Sequence, residues 1–222
     1  MTLRLLSRSN GRYLMIFPGW AFDHRIFLEK KWDFDLIACD DSDPVSFEKE
    51  TTEFIDREHP SPLFLLGWSM GGLLVSRLFR LPGFSDRIEK AFVMSLPPVF
   101  DARAIGKIRQ ALLQEGVESL KEFYRLAFRG NKMFYEQFKQ KYEADLIGSI
   151  GREILLKQLD FLESERVPGT FFTHPKVRLF LSLKDPLVSA FPVLSLRPDI
   201  VTVPATHVPI WYDEVVNAVN KG

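Results

Sequence analysis

Residues 63–75, Leu-Phe-Leu-Leu-Gly-Trp-Ser-Met-Gly-Gly-Leu-Leu-Val, constrain what this chain can fold into more than any other stretch. An apolar run bounded by Pro62 and Gly67 breaks at Gly67-Trp68-Ser69-Met70-Gly71-Gly72, and apolar character resumes over residues 73–81. The first run has the length and continuity of a strand buried on both faces of a parallel sheet. The second reads as a helix packed back on it. Ser69 therefore falls on a strand-to-helix turn, and Gly67, Gly71 and Gly72 supply the freedom that a strained, closely packed turn needs. The helix end behind it adds oriented N–H groups and partial positive charge, which suit a developing oxyanion. The plain alternative is a Gly-rich turn whose serine only caps the helix.

The remaining pattern supplies the frame for such a turn. Residues 2–7 read as a short edge strand, and Asn10-Gly11 marks a turn before a buried strand at 13–17. A third strand covers 33–39, with a polar exit at 40–44. A helix follows over 46–58, with Ser46 at its cap position and Glu48 and Glu50 in its first turn. Another strand lies within 88–96. Between 101 and 166 strand signals vanish, and the segments 104–113, 117–128, 132–142 and 154–162 carry helical periodicity. Strand character returns at 177–183 and 200–203, and a terminal helix starts near 212. The expectation is an α/β protein with a mostly parallel central sheet flanked by helices. Residues 1–100 and 167–222 form its core, and 101–166 form a helical insertion.

Its 222 residues suffice for one sizeable core. Lys plus Arg and Asp plus Glu number 29 each, so no overall field attracts nucleic acid or an anionic membrane. Twenty Phe point to a large aromatic core or an apolar pocket. Cys39, the single cysteine, lies in an apolar run and reads as a buried small residue in a reducing compartment. No secretory leader pattern and no apolar stretch of spanning length are visible, so a cytoplasmic location and a monomer are expected. The four histidines lack metal-site spacing, so neither a metal nor a cofactor is expected.

A serine hydroxyl needs a base to take its proton, and the base needs an orienting group. In elbow-type hydrolases the chain order is serine, acid, histidine. Asp185 and His207 stand in that order at the ends of the last two strands. Loops at the carboxyl ends of parallel strands gather on one edge of the sheet, where Ser69 also stands. Asp101 and Asp199 compete for the acid role, but Asp199 precedes its strand and belongs at the opposite edge. His24, His59 and His174 are weaker rivals for the base. The backbone N–H groups of Met70 and Trp20 are the candidate oxyanion donors. The Trp20 and Trp68 side chains either wall a substrate pocket or belong to the core.

Phe17-Pro-Gly-Trp20, Gly67-Trp-Ser-Met-Gly-Gly72, Lys184-Asp-Pro-Leu-Val188 and Ala205-Thr-His-Val-Pro-Ile210 resemble, in order and approximate spacing, the motifs of the α/β-hydrolase superfamily. Within it the chain looks most like the pimeloyl-acyl-carrier-protein methyl ester carboxylesterases of biotin synthesis, which carry a Gly-Trp-Ser-Leu-Gly-Gly elbow and a Gly-Trp oxyanion loop. Two features depart from that pattern. Pro18 replaces the usual histidine of the oxyanion loop, and the loop after the third strand is cut to residues 40–44.

The resemblance implies a Ser-His-Asp carboxylesterase whose insertion is a lid, with basic lid residues receiving an acidic acyl carrier protein. Arg103, Arg109, Lys121, Arg125, Arg129 and Lys132 are the candidate docking residues, against the bland reading of solvated helix faces. Phe123 and Phe128 are candidate substrate-binding residues, and with Phe134 and Phe138 they line an acyl tunnel or simply form lid core. A general esterase, thioesterase or carbon-carbon bond hydrolase keeps the same residues with another substrate. A non-catalytic binding protein on the same fold is the alternative of another class.

Overall fold

The computed structural model describes residues 2–7, 10–40, 43–189, 191–195, 199–203 and 206–222. Its seven strands are β1 (Thr2–Leu5), β2 (Tyr13–Phe17), β3 (Asp35–Asp40), β4 (Leu63–Trp68), β5 (Lys90–Met94), β6 (Val177–Ser182) and β7 (Val201–Val203). They form one sheet in the order β1-β3-β2-β4-β5-β6-β7. Only β1 is antiparallel, paired to β3 at one edge, while β2 to β7 run parallel. Every residue of β3 and β4 is buried, as continuous apolar runs in a two-sided parallel sheet require.

Two helices precede the insertion: α1 (Phe47–Glu58) and α2 (Met70–Leu78). The second packs on β2, β4 and β5 and is apolar nearly all round, so Leu73, Leu74, Val75 and Leu78 are all fully buried. Ser46 holds the cap position of α1, as expected. Its side chain makes no cap hydrogen bond, and the Asp43 carboxylate and carbonyl instead receive the Val45, Ser46 and Phe47 amides, because the turn begins three residues earlier than the periodicity suggested. The polar exit at 40–44 is only partly visible, since residues 41 and 42 lie outside the described residues.

Between β5 and β6 the chain forms only helices: α3 (Ala102–Glu115), α4 (Leu120–Ala127), α5 (Lys132–Phe138), α6 (Ala144–Ser149), α7 (Arg152–Ser164) and the short α8 (Gly169–Phe172). A π-helical turn at Lys139–Glu143 runs α5 into α6, so the helical pattern at 132–142 extends further than its periodicity showed. Short α9 (Phe191–Leu194) and α10 (Asp213–Asn220) complete the described α-helices. None of the described helices is long and apolar enough to cross a membrane.

Aromatic rings tie the insertion to the sheet domain. Tyr124, Phe128 and Phe138 are buried against one another, and Phe22 and Trp211 join the cluster from outside the insertion. Tyr124 also donates to the Ala21 carbonyl at 2.6 Å. Glu29 accepts from Gln137 at 2.7 Å, from Lys141 at 2.9 Å and from Tyr142. Burial pushes the Glu29 carboxyl up, but these donors together hold it below its ordinary value.

Candidate functional site

The carboxyl ends of β2, β4, β6 and β7 share one sheet edge, and each leads directly into a candidate residue: Trp20, Ser69, Asp185 and His207. Ser69 has φ 55° and ψ −115°, a left-handed conformation that is uncommon for serine and stores roughly 1–3 kcal/mol. Its amide donates to the Met94 carbonyl at 2.8 Å, and its carbonyl accepts from Gly72 at 2.9 Å. Of the two needs expected of the surrounding glycines, close packing is the one they serve. None of Gly67, Gly71 and Gly72 has positive φ. They permit close approach instead: a Cβ on Gly71 would stand 1.9 Å from the Phe17 carbonyl oxygen, and one on Gly67 2.7 Å from the Gly71 carbonyl oxygen. The strain sits on the serine and the space is left by the glycines.

His207 is held from three sides. Its Nδ1 lies 2.8 Å from Asp185 Oδ2, its amide donates to the Ala127 carbonyl at 3.1 Å, and its carbonyl accepts from Trp68 Nε1 at 2.6 Å. The two paired side chains are almost fully buried. Asp185 Oδ1 accepts from the amides of Leu187 at 2.8 Å and Val188 at 3.0 Å, so both carboxylate oxygens are engaged. With Nδ1 committed to Asp185, Nε2 is the ring nitrogen left for a reaction partner. Ser69 and His207 line one narrow cavity of about 50 Å³, with Trp20, Phe123 and Ile105 among its walls. Residues 204 and 205, part of the motif around His207, lie outside the described residues.

Among the described residues, neither the Trp20 nor the Met70 amide donates a hydrogen bond. Trp20 faces the cavity, and its indole N–H is satisfied by the Leu155 carbonyl at 3.1 Å. Trp68, the other candidate pocket wall, does not line the cavity. It ends β4, is fully buried, and packs against Phe22 at 4.8 Å and His207 at 5.5 Å between ring centroids, with its indole N–H on the His207 carbonyl. Phe128 likewise does not line it, because its ring is buried against Phe138 and Trp211. Phe138 is buried core, and Phe134 packs on Trp211 and Tyr212. Phe123 alone of the four phenylalanines lines the cavity.

The rival histidines do not line this cavity. His24 is buried with Nδ1 at 2.7 Å from Asp40 Oδ2 and Nε2 at 2.9 Å from Arg4. His174 bonds its own loop through the Lys176 amide, and His59 terminates α1 in a left-handed conformation. Asp101 caps α3 but also lines the cavity, a position that its place in the sequence did not reveal. Ser95, at the end of β5, went unnoticed in the sequence. It has φ 50° and a buried hydroxyl with no partner among the described residues.

The six basic candidates on the insertion divide. Arg109 is held by Asp160 at 2.5 Å and Glu163 at 2.9 Å, bridging α3 to α7. Lys121 pairs with Glu118, and Arg125 pairs with Glu122 at 2.6 Å. Arg103 is exposed at the start of α3. Arg125, Arg129 and Lys132 line a surface recess of about 540 Å³ with Glu122 and Glu136, and neither Ser69 nor His207 reaches it. No group of metal-ligating side chains occurs among the described residues.

The sheet order, the strand-turn-helix at Ser69 and the helical insertion before β6 define an α/β-hydrolase fold. Solved structures of that fold match it closely in shape. An esterase from Exiguobacterium antarcticum superposes with a TM-score of 0.80 at 15% identity, covering 99% of this chain and 96% of its own. A bromoperoxidase from Bacillus anthracis gives 0.77 at 15% identity over 95% and 90%. An enol-lactonase from Burkholderia xenovorans gives 0.76 at 15% identity over 99% and 93%. At such identity the likeness shows the fold alone. No protein-family model and no curated protein sequence matches the chain.

Proposed function

We propose that this chain is a serine hydrolase of carboxylic esters. The observation that carries the reading is His207, fixed by Asp185 on one ring nitrogen and by Trp68 and Ala127 on its backbone, lining the same cavity as a serine in a strained turn. In this reading Ser69 Oγ attacks the ester carbonyl and passes its proton to His207 Nε2. Asp185 keeps the imidazole in the required tautomer and stabilises the imidazolium. The Trp20 and Met70 amides receive the oxyanion. His207 then protonates the departing alkoxide, and water, activated by the same imidazole, releases the acid from Ser69. The named esterases and the enol-lactonase of the same fold agree with this chemistry.

The favoured substrate is the methyl ester of a carrier-bound dicarboxylyl chain, the pimeloyl ester of biotin synthesis. Two observations support it: the motif resemblance, and a cavity at Ser69 and His207 whose other walls are mainly apolar, as an acyl chain and an ester methyl require. The recess bearing Arg125, Arg129 and Lys132 is the proposed docking face for the acidic carrier. A general esterase acting on free small esters is the second reading, favoured by the ion pairs that already occupy Arg109, Lys121 and Arg125.

Ser69→Ala separates chemistry from fold. Hydrolysis of methyl butyrate is expected to fall at least about 1,000-fold while the thermal midpoint is kept. Retention of wild-type turnover removes Ser69 from the mechanism. Growth without biotin of a strain lacking its own esterase, supported by the wild-type gene and not by the variant, tests the carrier-linked substrate.

A further inference from the structure

We infer that Asp101 is a specificity-determining residue that sets the charge of the Ser69 cavity, disfavouring anionic acyl groups and favouring release of the carboxylate product. This rests on the hydrolase reading above. Apart from Ser69 and His207, the walls of the cavity are apolar or aromatic except for Asp101, the one carboxylate on them within the described residues. Asp101 is also exposed, so that solvent weakens its field. It forms no salt bridge with a described residue. One oxygen, Oδ1, accepts the Arg103 amide at 2.8 Å, as a helix cap does.

The cap matters for the sign of the field. A bare helix end presents about half a positive charge, which by itself would welcome an anion. Asp101 sets a full negative charge against it, so the start of α3 faces the cavity with a net negative bias. A neutral ester meets little penalty on entry. Once the acyl-enzyme is hydrolysed the product carries a carboxylate beside Ser69, and the same bias drives it out. A substrate with a second carboxylate close to its scissile carbonyl is repelled from the start.

Asp101→Asn is the informative variant, because asparagine caps a helix as well as aspartate and leaves α3 intact. Two methyl esters of similar size are compared by acid release: methyl butyrate, which is neutral, and monomethyl succinate, which is anionic. The wild type is expected to prefer the neutral ester, and the variant to lower that preference about fivefold, the effect of one unit charge in a partly hydrated cavity. Product inhibition by succinate should strengthen in parallel. Binding of butyrate and of butyramide, followed by isothermal titration calorimetry, supplies a readout independent of turnover. The amide should bind more tightly to the wild type, and the gap should narrow in the variant. An unchanged ester preference with an unchanged binding gap overturns the assignment while leaving the hydrolase intact. Absence of any ester hydrolysis by the wild type overturns the hydrolase reading, and the binding gap then still decides the role of Asp101.

Discussion

Gly71→Ala probes the packing at the heart of the site. A Cβ at position 71 would lie 1.9 Å from the Phe17 carbonyl oxygen, 2.5 Å from its carbon and 2.8 Å from the Pro18 carbonyl oxygen. Carbon and oxygen need about 3.3 Å, so one backbone segment must move by more than about 1 Å. The atoms in the way are main chain rather than a flexible side-chain tip. Phe17 is also locked in register with Gly67 on β4, so the end of β2 cannot swing aside without breaking the ladder. A loss of at least about 3 kcal/mol is expected, in the range of severe overpacking. For a chain of this size that lowers the thermal midpoint by about 6–12 °C. Gly106→Ala is the matched control. It lies inside α3 with nothing within 4 Å of the added carbon, and helix propensity favours alanine there by about 1 kcal/mol. Both variants are read by thermal denaturation. A Gly71→Ala protein melting within about 2 °C of the wild type would refute the close approach of α2 to the end of β2.

Trp68→Phe keeps an aromatic ring beneath His207 but deletes the 2.6 Å bond to its carbonyl. It should lower kcat about tenfold with little change in KM and lower stability by about 1 kcal/mol, measured by steady-state kinetics and melting together; an unchanged kcat removes Trp68 as a positioning residue. Asp40→Asn tests the buried pair with His24 away from the cavity. Burial pushes the Asp40 carboxyl up, but the His24 ring and amide and the nearby Arg4 outweigh it and hold the group below its ordinary value. A depressed carboxylate stabilises the fold above the unfolded pKa, and that contribution is lost as pH falls through the folded value. The variant should therefore be weaker by about 2 kcal/mol at pH 7, with the difference shrinking below about pH 4 in urea titrations. A pH-independent difference would show that the charge of Asp40 contributes nothing.

The features legible in the sequence were those set by period and order. Continuous apolar runs marked β2, β3 and β4, and the switch to helical spacing after residue 100 marked the insertion before β6. The arrival of Asp185 and His207 at one sheet edge followed from parallel strands alone. Side-chain direction was not legible. Trp20 and Trp68 looked equivalent beside their glycines, yet Trp20, in the loop after β2, lines the cavity, and Trp68, at the end of β4, packs against the histidine. Phe123 and Phe128 differ in the same way, five positions apart on the helix and its exit. Asp101 read as a rival for the acid role, and its place on the cavity wall follows only from where the fold sets the start of α3. The cap position of Ser46 was legible, but the turn that Asp43 holds before α1 was not, because it left no signal in the helical period.

The pinning of His207 through its main chain, rather than through its ring alone, separates the loop's anchorage from its chemistry. The loop's position depends on the amide that meets Ala127 and the carbonyl that meets Trp68, neither of which changes with the side chain at 207. A substitution that removes the imidazole therefore leaves both main-chain bonds in place, and the loop beside the cavity stays anchored without the ring.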